Sequence, residues 1–456
     1  MFVFISDLHF MDGTAGEHYV DAGAFASTMN DIAAHAREAD ANEITLVLLG
    51  DVYDLYRTER WFRYEPALRP WGETPSEAAL YEIFEGVVTE NEEVFSLLSG
   101  SLAERFDFPD EPKRLFIPGN HDRLVNEFPY LRRRVRETLG MNGGDAPFPH
   151  HILDLEHGVF ARHGHEWDPF SFEGSAALDS GEHIEVPDED YRKMPVADPM
   201  GCEFASRLAP LVVEHLGSDH PAHNSIAHHM RAIVDVRPLQ AAMRWAAWQV
   251  AKFDDFEAEA INRAIRDAAA GLREIPFVRD WIDSHDRIGV DRADFFQLLT
   301  RCLASFEVME HERVLSILDE VSAEKRDIDP EVAVRDFERL DRHPEIGNHV
   351  YYLLYGHTHA AEQQPVGVIG APPDERYRVY FNTGTWRPVH RPLASARAGF
   401  ASWKEMTYVL VHRPGERTSG GGTLPYPAAE SWTGAVVGTG AGAVKRPLAA
   451  VPPLPS

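Results

Sequence analysis

Apolar residues recur along the chain in two rhythms. Short runs rich in β-branched and aromatic residues, each closed by glycine or polar residues, predict strands. They cover Phe2 to Ser6, Ile44 to Leu49, Arg114 to Ile117, His151 to Leu155, Val159 to Arg162, Val350 to Tyr355, Arg378 to Asn382 and Tyr408 to His412. Helical spacing over Ala22 to Ala39 and Ser76 to Leu98 separates the first three, and His157-Gly158 predicts a tight hairpin turn. Strands alternating with helices imply a layered α/β core. From about Asp168 to Glu345 the strand signal vanishes. Leu239, Met243, Ala246, Val250 and Phe253 repeat at helical spacing, continued by Ile261, Ile265 and Ala268 before Gly271. Further amphipathic stretches run over Ala293 to Ala323 and Glu331 to Asp341. The expected organisation is a helical insertion over 168–345 within a core built from 1–167 and 346–413. Past Pro414 the chain turns to Gly, Pro, Ala, Ser and Thr, with Gly420-Gly421-Gly422 and a Pro-Pro-Leu-Pro-Ser end, so 414–456 is expected to be disordered.

Composition narrows the picture. The 456 residues are 44% hydrophobic and 26% charged, as in a folded chain, and the formal net charge of −29 opposes non-specific attraction to nucleic acid or anionic membranes. Two cysteines, Cys202 and Cys302, are too few for a disulfide framework or a thiolate zinc site and agree with a reducing compartment. Met1 to Ile5 lacks a charged leader and runs straight into Ser6-Asp7, so it reads as a strand; with no apolar run of about 18 residues, a cytoplasmic protein without a membrane span is expected.

Five polar clusters close predicted strands: Asp7-Leu8-His9, Gly50-Asp51-Val52-Tyr53-Asp54, Gly119-Asn120-His121-Asp122, His163-Gly164-His165 and Gly356-His357-Thr358-His359. Side chains two apart on a strand share a face, so Asp7 with His9, and His357 with His359, are expected to point the same way. Imidazole nitrogen mixed with carboxylate and amide oxygen suits borderline first-row divalent metals better than calcium. Singly, each cluster is also what a capped or solvated turn looks like. The histidine-rich stretch His215, His220, His223, His228 and His229 has no ligand spacing and is expected to be solvated or satisfied in the core; Trp245 and Trp248 are expected to pack helices.

Together, and in this order, the five clusters resemble the calcineurin-like metallophosphoesterase superfamily, whose blocks are all present over residues 1–165 and roughly 346–412. The resemblance implies a four-layer αββα sandwich of mixed sheets, with the helical insertion as a cap. It implies two divalent ions, of Mn, Fe, Zn or Co: Asp7, His9 and His359 would hold one, Asn120, His163 and His357 the other, and Asp51 would bridge them. Two such ions against only two carboxylates leave a net positive pocket that attracts phosphate. Ions about 3.5–4 Å apart would activate a bridging water as hydroxide for in-line attack. His121 matches the family's catalytic histidine, protonating the leaving oxygen or stabilising charge, with Asp122 orienting its ring. Asp54 is expected to support the site from behind; Arg57, Arg60, Trp61 and His165 are candidates for substrate contact or for structural roles.

The insertion lies where the bacterial UDP-diacylglucosamine pyrophosphohydrolases, members of the superfamily, place a helical lid. It is far longer here, and Asn120-His121-Asp122 departs from the arginine those enzymes typically carry at the histidine position. The expected activity is hydrolysis of a small phosphorylated molecule, whether diester, pyrophosphate or monoester. A phosphoprotein phosphatase would need an open groove, a nuclease a basic track, and a non-catalytic scaffold no complete donor set. The sequence leaves substrate, native metal and oligomeric state open.

Overall fold

The computed structural model describes residues 1–16, 20–71, 76–174, 178, 185–237, 241–286, 296–297, 300, 330–370, 375–393 and 399–437. Within them, two mixed sheets and many helices make an α/β protein. The first sheet runs in the order β11 (Ala428–Val437), β10 (Phe400–His412), β1 (Phe2–Ile5), β2 (Thr45–Leu49), β3 (Lys113–Ile117), with β9 (Pro388–Pro392) also paired to β10. The second runs β4 (His151–Asp154), β5 (Val159–Arg162), β6 (Tyr352–Tyr355), β8 (Arg376–Thr383), β7 (Ala361–Ile369). Strands β1, β2 and β3 are mutually parallel, as are β5, β6 and β8, so each sheet sends a set of carboxyl ends to one edge.

Strand alternation sorts the apolar residues into layers. Phe2, Phe4, Val47 and Leu49 of the first sheet meet Val159, Ala161, Leu354 and Phe381 of the second in one shared core. Their neighbours Val3, Ile5, Leu46 and Leu48 face the other way, onto Phe25, Met29, Ile32 and Ala36 of the helix Ala22–Glu38 and onto Ile83 and Phe84 of the helix Glu77–Glu90. On the far face of the second sheet, Phe160, Leu353, Tyr355 and Tyr380 pack against Ala333, Phe337 and Leu340 of the helix Pro330–Asp341.

That last contact moves a predicted boundary. The stretch Glu331 to Asp341 was expected inside the insertion, but its apolar face covers the second sheet, and Asp336 pairs with the buried Arg162 at the end of β5. It belongs to the core. The predicted disorder of 414–456 is corrected for its first part: β11 pairs with β10 over ten residues, and the turn before it is held by Glu416, which accepts from the Met1 ammonium at 3.1 Å. Residues 438–456 lie outside the described residues. The single helix expected over Ser76 to Leu98 is two, Glu77–Glu90 and Glu92–Ser99, broken at Asn91, whose side-chain amide donates to the Met11 and Val87 carbonyls, both at 2.8 Å. The expected hairpin turn at His157-Gly158 joins the antiparallel pair β4 and β5.

Within the insertion the long helical repeat is split into Ala242–Val250 and Asp255–Glu274, the latter opened by a capping box at Asp254 and Glu257. These helices bury Trp245, Ile261, Ile265 and Ala268 against Leu208, Val212 and Met230 of the helices Arg207–Leu216 and His223–Arg231. Leu239 and most of the stretch predicted over Ala293 to Ala323, including Cys302, lie outside the described residues; Cys202 is buried. Among the described residues, no helix is long and apolar enough to cross a membrane.

Candidate metal centre

All five polar clusters sit just beyond the carboxyl ends of β1, β2, β3, β5 and β6, and the two sheets bring them to one place. The convergence does not come from strand alternation, as the sequence suggested, because the strands end at Ile5 and Tyr355. The chain instead turns into the left-handed region at Asp7 (φ 51°), His9 (φ 44°), Asp51 (φ 53°), His357 (φ 69°) and His359 (φ 59°), and among the described non-glycine residues only Asp40 and Asp107 share that conformation. Side chains with a Cβ resist it, so five such residues around one point mark a place where the fold holds strain for a purpose. Flanking glycines make room. A Cβ at Gly356 would lie 2.4 Å from Asp7 Oδ2, and one at Gly119 would lie 2.3 Å from Asp51 Oδ1.

Asp7, His9, Asp51 and His359 form one buried group with the reach to hold a cation, and Asp51, His163 and the partly exposed His357 form a second group with that reach. His9 Nε2 lies 2.9 Å from His359 Nε2, 3.7 Å from Asp7 Oδ1 and 3.5 Å from Asp51 Oδ2, while His359 Nε2 is 3.3 Å from Asp7 Oδ1. On the other side, His163 Nε2 is 3.2 Å from Asp51 Oδ2, and His357 Nδ1 is 3.0 Å from Asn120 Oδ1. Asp51 thus stands between the two groups, and the seven donors named from sequence are brought together.

Hydrogen bonds behind the rings aim them. His163 Nδ1 donates to the Leu49 carbonyl at 2.8 Å, which turns Nε2 into the cluster, where that buried atom has no hydrogen-bond partner. His9 Nδ1 lies between Asp54 Oδ2 at 3.1 Å and Arg57 Nη2 at 2.6 Å, which turns Nε2 inward, and His357 Nε2 faces Asp168 Oδ2 at 3.1 Å, a carboxylate that takes the ring N–H and leaves the Nδ1 lone pair inward. Asp7 is held by the Ser6 hydroxyl and by the His357 N–H, 3.1 and 3.0 Å from its two oxygens.

Electrostatics agrees with the geometry. Burial alone would raise Asp7 and Asp51, but neighbouring imidazoles, His163 foremost, hold both well below the usual carboxylate range. Burial would likewise lower His163, yet Asp51 and Asp7 outweigh it and push the ring up to about 10. A proton there stands where a cation would. His9 and His359 are kept neutral by burial and by Arg57 and Arg237 respectively, the state in which imidazole is a ligand. An orphaned imidazole nitrogen, ionised carboxylates and neutral rings fit a divalent-metal site.

The remaining sequence candidates fall as follows. His121 is partly exposed, its N–H donates to Asp51 Oδ1 at 2.8 Å, and its Nδ1 lies 3.2 Å from Asp54 Oδ1. The orienting carboxylate is therefore Asp54, which serves His9 and His121 together, and not Asp122. Asp122 is buried and accepts from the Gly119 N–H at 2.5 Å and the Val52 N–H at 2.7 Å, clamping the third cluster to the second. Burial and the charge of Asp51 push it up to about 8. Arg57 is buried and spends its guanidinium on Asp54 and His9, so it braces the site from behind and is not exposed to a substrate. Arg60 pairs with Asp12 at 2.7 Å, and Trp61 is buried with its indole N–H on the Leu55 carbonyl at 2.9 Å. His165 is buried behind His163 against Phe172 and Tyr191, and burial pushes it down to about 3, so it too lacks access.

In the second histidine stretch, His215 pairs with Asp267 at 2.8 Å and His229 donates to the Ser225 carbonyl at 2.7 Å. Two residues near the site were missed from sequence, Asp168 and Arg237. Their only sequence signal is charge next to an expected boundary or inside the insertion. No family model and no curated protein matches the chain.

Proposed function

We propose that the chain is a dinuclear-metal-dependent phosphoester hydrolase of the calcineurin-like type, acting on a small phosphorylated molecule. The observation that carries this is the convergence of seven donors from five loops on a buried point where His163 Nε2 has no hydrogen-bond partner. Asp7, His9 and His359 would hold one divalent ion, and Asn120, His163 and His357 the other, with Asp51 shared; the mixed nitrogen and oxygen set suits Mn, Fe, Co or Zn. Two facing sheets with helices outside support the sandwich that the resemblance implies. When bound, such ions supply positive charge to phosphoryl oxygens and lower the pKa of water.

The protein's own groups orient and protonate. Asp54 fixes the ring of His121 through Nδ1, which leaves Nε2 to give a proton to the leaving oxygen. Arg57 locks Asp54, and Asp168 locks His357. The test is a screen of aryl monoesters, aryl diesters and nucleotide sugars with Mn²⁺. Hydrolysis should vanish on chelation and return with Mn²⁺, Fe²⁺, Co²⁺ or Zn²⁺. Undiminished turnover after exhaustive chelation, with no metal by elemental analysis, would overturn the proposal.

A further inference from the structure

Ion pairs fasten the insertion to the core. Glu203 takes Arg69, Arg231 meets Glu59 at 2.8 Å, and Asp235 accepts from Arg387 Nε at 2.8 Å. A fourth pair differs in where its core partner stands. Asp198, on the short helix Ala197–Pro199, accepts from Arg123 Nη2 at 2.6 Å, and Arg123 directly follows Asn120-His121-Asp122. Both side chains are buried.

The loop that carries His121 is therefore held from two sides. The core holds it through Asp122, clamped to the Gly119 and Val52 N–H groups, and through the His121 carbonyl, which accepts from the Leu55 N–H at 3.3 Å. The insertion holds it through Arg123, the first residue of the turn Arg123–Asn126. The Arg123 guanidinium lies 5.6 Å from the centre of the buried Tyr56 ring, and that ring stands edge-on to His121, with centres 6.4 Å apart and planes at 81°. A single hydrogen bond from Nδ1 to Asp54 leaves an imidazole free to swing about it. The His9 ring, its centre 4.8 Å away, and the Tyr56 ring bound that swing, and Arg123 backs Tyr56. Stability alone does not call for the pair, because desolvating two charges costs about as much as their attraction returns, and apolar residues of like volume pack such a place equally well.

We propose that Asp198 is a positioning residue for His121: by fixing Arg123 against Tyr56, the insertion sets where the imidazole stands over the leaving oxygen. This rests on the hydrolase function proposed above and on His121 as its proton donor, and it gives the insertion a part in the chemical step through one named carboxylate. Asp198 touches neither substrate nor ion, so its effect is carried entirely by His121.

The experiment compares the Mn²⁺-loaded full-length parent, Asp198→Asn, His121→Ala and the double variant on alkyl and nitrophenyl esters of whichever phosphoester class the parent hydrolyses, with bound metal counted by elemental analysis. Asp198→Asn should lower kcat on the alkyl ester by about 10- to 100-fold, the scale of a misplaced catalytic group, and on the nitrophenyl ester far less. In the His121→Ala background it should add nothing, since a residue that acts through another is silent once that other is gone. If Asp198→Asn fails to fold with Arg123 left unpaired, the double variant Asp198→Leu/Arg123→Met removes both charges and is read in the same way. Equal losses on the two esters, no loss on either, a loss that multiplies with that of His121→Ala, or reduced Mn²⁺ content each overturn the role of Asp198 and leave the proposed hydrolysis standing. A parent that hydrolyses no phosphoester with Mn²⁺ overturns the function itself and this proposal with it.

Discussion

His121 combines a fixed ring with partial exposure and is not among the seven donors, since Asp54 holds its Nδ1 and its flank is open. If Nε2 protonates the leaving oxygen, His121→Ala should slow alkyl phosphoesters by about 10²–10⁴-fold and nitrophenyl esters far less, because a good leaving group needs no proton. Equal losses on both substrates, measured as kcat/KM, would assign His121 to charge stabilisation alone. The donors themselves were legible because carboxylate, amide and imidazole at short spacing after apolar runs is a chemical pattern. What the pattern concealed was the partner of each donor. Asp122 neighbours His121 in sequence yet bonds backbone N–H groups, whereas Asp54, 67 residues away, takes the ring. Arg57 looked like a free cation near the site and is buried on Asp54. Direction of a side chain depends on left-handed backbone at Asp7, His9, Asp51, His357 and His359, which sequence spacing does not encode.

Elements with strong periodicity were found where expected, and the exceptions share a physical cause. Strand β9 carries proline at both ends, and β7 is an edge strand with a register shift between Pro365 and Gly367, so neither shows a clean alternation. Strand β11 is an edge strand of small and polar residues that gains its order from β10. For the helix Pro330–Asp341 the period was right and the assignment to the insertion was not, since an amphipathic pattern says that a face is buried but not against what. Phe337, 3% exposed among Phe160, Leu353 and Tyr380, gives the check. Phe337→Ala should destabilise the global unfolding transition by about 3–5 kcal/mol, as for a large side chain lost from a shared core. Were the main transition in denaturant unmoved, with only a minor one shifted, the helix would belong to a separately unfolding insertion.

Over the whole molecule, a chain of formal net charge −29 gathers ionised carboxylates and imidazoles at one point, and it does so from loops that begin at Asp7 and end at His359. Donors so far apart in sequence meet only in the folded state, so an ion that binds them must stabilise that state by mass action, by about 2.7 kcal/mol at a hundredfold excess over Kd, and so raise the unfolding temperature. Added cations also screen the acidic surface, which stabilises by a different route and does not need the site. The two effects separate in a variant. Mn²⁺ at micromolar excess should raise the melting temperature of the parent protein, and a chelator should return it to the ion-free value. In Asp51→Asn, which loses the carboxylate placed between both groups, most of that rise should disappear, whereas His9→Ala should keep part of it because Asn120, His163 and His357 still meet Asp51. Screening acts on all three proteins alike, so the difference between their Mn²⁺-induced shifts in scanning calorimetry is the quantity to measure. Identical shifts in the parent and in Asp51→Asn would mean that the added ions act on the surface and that the seven donors hold none.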